Sequence, residues 1–231
     1  MVMRPAWLRR ALGRGSKRLE ALINVLRRRE YPAFCCVSEA NQETIDFVTC
    51  TRSRVIAEIG VYQGHTSELF ARYLGGRGEL HLFDFEERVR EVAAKLEAAG
   101  YRNVVSHPNS HKTMDSYNWS LMRVLQAHTE PIYDYVLLDG AHTWQLDALA
   151  FLLVDRLLKV GGYIDFDDYG WTLARSPSMN PGVFPATRRL YTPEQIEEAH
   201  VRLIVELLVR RDVRYIEVVE NKIYQKVGSA P

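Results

Sequence analysis

Two stretches of this chain end in carboxylates. The apolar run Tyr133-Asp134-Tyr135-Val136-Leu137-Leu138 leads into Asp139-Gly140-Ala141-His142, and Gly161-Gly162-Tyr163-Ile164-Asp165-Phe166 leads into Asp167-Asp168. In an open α/β sheet, ligands bind beyond the carboxyl ends of the strands. Two neighbouring strands that bring Asp139, Asp167 and Asp168 to one rim create repulsion, unless a cation sits among them or one carboxyl keeps its proton. Hard oxygen donors with room for water suit Mg²⁺, with Mn²⁺ as a substitute, better than zinc. His142 follows Asp139 by three residues, close to such a cluster without having to join it. An imidazole, with a reference pKa of about 6.5, is a natural general base near neutrality. His65, His107 and His111 compete for that role; His81 and His200 read as structural and His128 as exposed. Asp165 shares a strand face with Asp167, which places it behind the rim or beside a nearby cation.

A second constellation lies earlier, in Glu58-Ile59-Gly60-Val61-Tyr62-Gln63-Gly64. Gly60 permits a tight turn, and Gly64 lets a ligand approach backbone at a helix start. The pattern is not the G-x-G-x-x-G of dinucleotide sites, and a glutamate before Gly60 would repel a pyrophosphate. It suits a ligand with cationic groups, such as the ammonium and sulfonium of S-adenosylmethionine. Asp84 ends the next strand, 24 residues after Gly60, near the spacing of a ribose-binding acid. With Glu87 three residues on, it is equally placed to cap the following helix.

Alternating strand and helix patterns must position these groups. Strands are expected at 55–59, 80–83, 104–106, 133–138 and 163–166, and helices at 65–74, 86–99, 113–127 and 146–158. An irregular stretch, 169–191, carries Trp171, Arg175, Arg188, Arg189 and Tyr191. It is long for a βα loop and suits an acceptor beside the rim. Thr192-Pro193-Glu194-Gln195 reads as a capping box opening a helix to about Arg211. Segments 213–219 and 223–227 read as a terminal antiparallel hairpin. The expected fold is α/β: a Rossmann-like, doubly wound, mostly parallel sheet of about seven strands with that hairpin at its end. Ahead of it, 5–29 reads as a basic helix and 31–38 as a connector. The division is therefore 1–37 as a helical appendage and 38–231 as the main domain.

The motifs over about 38–227 resemble those of class I S-adenosylmethionine-dependent methyltransferases. Within these they are most similar to the metal-dependent O-methyltransferases: macrocin and mycinamicin sugar O-methyltransferases and, more distantly, catechol O-methyltransferase. The resemblance implies a methyl-donor site made by Glu58, Gly60, Tyr62, Gly64, Thr66, Asp84, Asn109 and Ser110. Pro108-Asn109 stands where the family usually has a glycine. It further implies metal ligands Asp139, Asp167 and Asp168 and His142 as base. The catechol enzyme has a lysine at the His142 position and an asparagine at the Asp168 position, so this chain leans toward the sugar branch. The implied activity is Mg²⁺-dependent methyl transfer to a hydroxyl of a sugar, oligosaccharide or glycosylated metabolite, with Trp144, Tyr169, Trp171 and Arg175 beside the acceptor. A phenolic or catechol O-methyltransferase is the alternative. An inactive S-adenosylmethionine-binding or oligomerising protein is the second.

Composition sets outer bounds. The 231 residues are 47% hydrophobic and 26% charged, enough for one sizeable core. Residues 1–30 carry nine Lys/Arg against two Glu, a net of +7; the whole chain is +1, so the remainder is −6. No global field favours nucleic acid as a partner. For the basic segment a homodimer or higher homo-oligomer is the first expectation, and peripheral membrane contact the second. Cys35, Cys36 and Cys50 form neither a zinc spacing nor a disulfide framework, and no signal peptide is read, so a cytoplasmic location is expected.

Overall fold

The structure is a computed structural model that describes residues 39–229. The expected basic helix, the connector and the 37/38 boundary lie outside the described residues. The chain runs α1 (Glu39–Cys50), β1 (Val55–Ile59), α2 (His65–Leu74), β2 (Glu79–Phe85), α3 (Glu86–Ala98), β3 (Val104–Asn109), α4 (Tyr117–Ala127), β4 (Tyr133–Leu138), α5 (Trp144–Leu157) and β5 (Leu158–Phe166). A 3₁₀ turn (Leu173–Arg175) and short helices α6 (Thr187–Leu190), α7 (Pro193–Glu197) and α8 (His200–Ile204) follow. A π turn (Val205–Val209), β6 (Tyr215–Val219) and β7 (Ile223–Lys226) complete it.

Seven strands form one sheet in the order β3-β2-β1-β4-β5-β7-β6. All pairings up to β5 are parallel; β5–β7 and β6–β7 are antiparallel. The order reverses between β1 and β4, so the crevice for a ligand opens above those two strands. Successive side chains point to opposite faces, and each face has its own helical cover. Ile56, Leu80, Leu82, Tyr135 and Leu137 meet Val48 of α1, Phe70 and Leu74 of α2, and Val92 and Leu96 of α3. Ile59, Phe83, Val136, Leu138 and Phe166 meet Leu121 of α4, Phe151 and Val154 of α5, and Ile204 of α8. Ile59, Leu138 and Phe166 are buried immediately beneath the crevice. Each contributes about 1.5–3 kcal/mol of burial, so the rim above them stands on a stiff floor.

Most expected elements shift by one to three residues at an end, and three differ more. The helix expected from 113 starts at Tyr117, because the Ser116 hydroxyl caps it by accepting from Asn118 N. The strand expected at 163–166 begins at Leu158, directly after α5, and runs through Gly161-Gly162. The long helix expected after Thr192 opens with the anticipated capping box but stops at Glu197. There His200 turns inward: its Nδ1 accepts from Trp144 N at 3.1 Å, and Nε2 lies 2.8 Å from the Gln195 carbonyl. Those tertiary bonds replace helix continuity with a break before α8. Among the described residues no helix is long and apolar enough to cross a membrane.

Candidate active site

The crevice begins at Gly60. Its φ of +92° suits glycine, and a Cβ there would stand 1.8 Å from the Asp139 carbonyl oxygen. The β1 and β4 ends therefore approach as closely as backbone allows, and the glycine turn and the acidic rim share one wall. Asp139 N donates to Ile59 O at 2.9 Å, and Asp167 N donates to Leu138 O at 3.2 Å. These bonds carry the ladder past the strand ends and set Asp139 and Asp167 side by side.

The residues expected to hold a methyl donor surround the turn. Asp84 Oδ2 accepts from Val61 N at 2.9 Å and Tyr62 N at 3.1 Å, and its Oδ1 accepts from Phe85 N. It thus fixes the glycine turn and the amide of Phe85, but it does not cap α3, which starts after Phe85 with no side-chain cap bond. Tyr62 is exposed, at φ +43°, with the Arg88 guanidinium 4.8 Å from its ring centre. Glu58 lies beneath the turn, 2% exposed, and accepts from the Ser67 hydroxyl. Burial pushes its carboxyl up to about 8, against the Ser67 bond and with help from Asp84. Gly64 (φ +81°) opens α2, and Thr66 in its first turn is buried and bonded to Asn41 Nδ2 at 2.7 Å. Asn109 ends β3 buried, with its side-chain oxygen unpartnered. Ser110 donates to Asp115 through both N and Oγ.

At the acidic rim His142 sits between two carboxylates. Its Nε2 is 3.6 Å from Asp139 Oδ1 and 3.6 Å from Asp168 Oδ2. The Trp171 ring stands beside it, 5.2 Å between centres, and His142 Nδ1 has no hydrogen-bond partner. His142 (φ +53°) and Asp168 (φ +59°) both hold left-handed backbone, a local strain that the surrounding bonds must sustain. Burial, then repulsion from Asp167, Asp168 and Glu58, pushes Asp139 well above the ordinary carboxylate range. Burial and Asp167 also raise Asp168, while His142 opposes.

The chemistry of this donor set fits a hard divalent ion, since three carboxyl groups share one rim and crowding there raises Asp139 and Asp168. Their arrangement does not close on one: among the described residues no three His, Cys, Asp or Glu side chains form a group that could hold a metal ion. Part of the charge is met internally. Lys222, from the β6–β7 turn, reaches Asp165 Oδ1 at 2.9 Å and Asp167 Oδ1 at 3.7 Å. Asp165 is fully buried and takes two further bonds on Oδ2, from Thr44 and Tyr135, both at 2.6 Å. The cation expected beside Asp165 is therefore Lys222, which nothing in its local sequence marks.

The competing histidines are engaged elsewhere. His107 is stacked on Phe83 and 2.9 Å from His81, and burial lowers it to about 4. His111 pairs with Glu87 and stacks on Phe85; His65 contacts Gln63. Of the acceptor candidates, only Trp171 is seen against His142. Tyr169 donates to Glu206, Trp144 opens α5 against His200, and Arg175 is exposed at the end of the 3₁₀ turn.

Comparison with known proteins bears on this site. A methyltransferase-domain family profile matches residues 57–169, which include the glycine turn, Asp84 and both carboxylate-ending strands. No curated protein matches the sequence. Among solved structures, an O-methyltransferase from Bacillus cereus in complex with SAH is 16% identical. The match covers 95% of this chain and 96% of that one, with a TM-score of 0.57. The O-methyltransferase TomG from Streptomyces achromogenes, involved in tomaymycin synthesis and in complex with SAM, is 17% identical, covering 96% and 95% with a TM-score of 0.56. A putative caffeoyl-CoA O-methyltransferase from Staphylococcus aureus is 14% identical, covering 95% and 97% with a TM-score of 0.55. At such identities the likeness establishes the fold.

Proposed function

We propose that the chain is an S-adenosylmethionine-dependent O-methyltransferase whose acceptor is a hydroxyl of a sugar or glycosylated metabolite. One observation carries the reading: within the residues that the methyltransferase profile matches, the glycine turn and the rim of Asp139, Asp167, Asp168 and His142 share one crevice at the sheet's switch point. The donor lies over the main chain at Gly60 and Gly64. Asp84 takes its ribose, Asn109 and Ser110 approach its adenine, and Tyr62 and Thr66 border it. Glu58 supports the turn from below through Ser67.

Asp139, Asp167 and Asp168 are the residues that would hold Mg²⁺, on the strength of their donor chemistry and not of a closed arrangement, and Lewis-acid polarisation of the acceptor oxygen is what the ion would supply there. His142 Nε2, set between Asp139 and Asp168, accepts the acceptor's proton. Trp171 offers an apolar plate to a sugar face next to that base. The freed oxygen attacks the sulfonium methyl in line, and holding the two together supplies much of the rate.

The test is a panel of glycosides, free sugars and catechols, incubated with the full-length protein, donor and Mg²⁺, reading demethylated donor and methylated acceptor. Turnover on glycosides or sugars that stops in excess chelator is the expected result. Turnover on catechols alone would move the acceptor to the phenolic class, and full turnover in chelator would remove the metal.

A further inference from the structure

We infer that Asp147, acting with Tyr117, is a positioning residue that holds the 140–142 main chain and so aims the His142 ring at the crevice. The inference rests on His142 being the base of the proposed reaction. Asp147 lies in the first turn of α5 and is 2% exposed. An acid there ordinarily turns toward its own helix amides. This one faces the preceding loop instead. The Tyr117 hydroxyl, from the first residue of α4, donates to Asp147 Oδ1. Ala141 N donates to both, at 3.2 Å to the Tyr117 oxygen and 3.4 Å to Asp147 Oδ1. The His142 amide also lowers the Asp147 carboxyl, against the rise that burial imposes.

Space confirms the fit. A Cβ on Gly140 would stand 2.7 Å from Asp147 Oδ1 and 2.8 Å from the Tyr117 oxygen, so the loop lies directly on this pair. The bonds converge beside His142, which adopts φ +53°, a left-handed conformation uncommon outside glycine. Neither Asp147 nor Tyr117 is placed against the acceptor or the donor. Their hydrogen bonds to the loop end at the amide of Ala141, the residue directly before the one that carries the ring. Without them the strain at His142 can relax, and its ring leaves the position 3.6 Å from Asp139 and Asp168.

The experiment is NMR of the full-length protein labelled at histidine Cε1, with the His142 signal assigned by its loss in His142→Gln. In the wild type that signal carries the ring-current shift of Trp171. Asp147→Ala should move it toward the position of an unconstrained histidine. Asp147→Asn keeps an oxygen for the Ala141 amide and the Tyr117 hydroxyl and should restore it. Tyr117→Phe preserves volume and should shift it in the same direction as Asp147→Ala, which keeps the test open if Asp147→Ala does not fold. Signals of His81 and His107, in their separate cluster, should stay in place, and SAH affinity should stay within about twofold. An unmoved His142 signal in folded Asp147→Ala or Tyr117→Phe would overturn the inference. Failure of the underlying reading is seen separately, as near wild-type turnover in His142→Gln.

Discussion

Replacing Glu58 by glutamine tests the electrostatics beneath the glycine turn. Glu58 is 2% exposed, and burial moves its carboxyl from the ordinary 4.5 to about 8. The folded protein therefore keeps a proton on Glu58 between about pH 4.5 and 8, while the unfolded chain has lost it. Stability must fall as pH rises through that window and level off above it, because there both states are ionised. At about 1.36 kcal/mol per pH unit, the full displacement corresponds to roughly 5 kcal/mol. Glu58→Gln keeps the shape and an oxygen for Ser67 but cannot ionise. Urea unfolding of both proteins from pH 5 to 9 measures the effect. The variant should match the wild type near pH 5 and become the more stable of the two toward pH 8, by up to about 5 kcal/mol. A stability difference that stays constant across that range would refute the account of Glu58 as a carboxyl held neutral by burial.

Other perturbations test the rim and its supports. Lys222→Met leaves Asp165 buried without its cation and should cost about 3–5 kcal/mol. In calorimetry that appears as a melting temperature lower by roughly 6–20 °C; no change would show that Lys222 does not stabilise the carboxylates. Gly60→Ala forces a Cβ onto the Asp139 carbonyl and should destabilise by more than about 2 kcal/mol in urea unfolding while weakening SAH binding. Removing residues 1–29 should lower the mass seen in light scattering if that segment builds an oligomer; an unchanged oligomeric mass removes that role.

The legible parts of this molecule are those in which local pattern and tertiary context agree. Val55–Ile59 and Tyr133–Leu138 read correctly to the residue, because parallel strands buried on both faces show as apolar runs bounded by turn residues. The capping box at Thr192 and the hairpin around Asn221 are carried by chemistry within a few residues. The break before His200 is not, since a bond from Trp144, 56 residues away, sets it. The candidate site divides the same way. Asp139, His142, Asp167 and Asp168 stand out because they follow strand ends. Thr44, Tyr117, Asp147 and Lys222 do not, because each acts on the site through a partner remote in sequence or displaced by a helical turn. The pairing of Asp165 with a cation follows from the cost of burying a lone carboxylate; which cation does so is set by the fold alone.

The central claim, a methyl-donor site over the β1–β4 crevice, is tested most directly by calorimetric titration of the full-length protein with SAH. The account predicts one site per chain, weakened by tenfold or more in Asp84→Ala, since a charge-assisted hydrogen bond contributes about 1.5–3 kcal/mol. No binding by the folded wild type, or equal binding by Asp84→Ala, would contradict it.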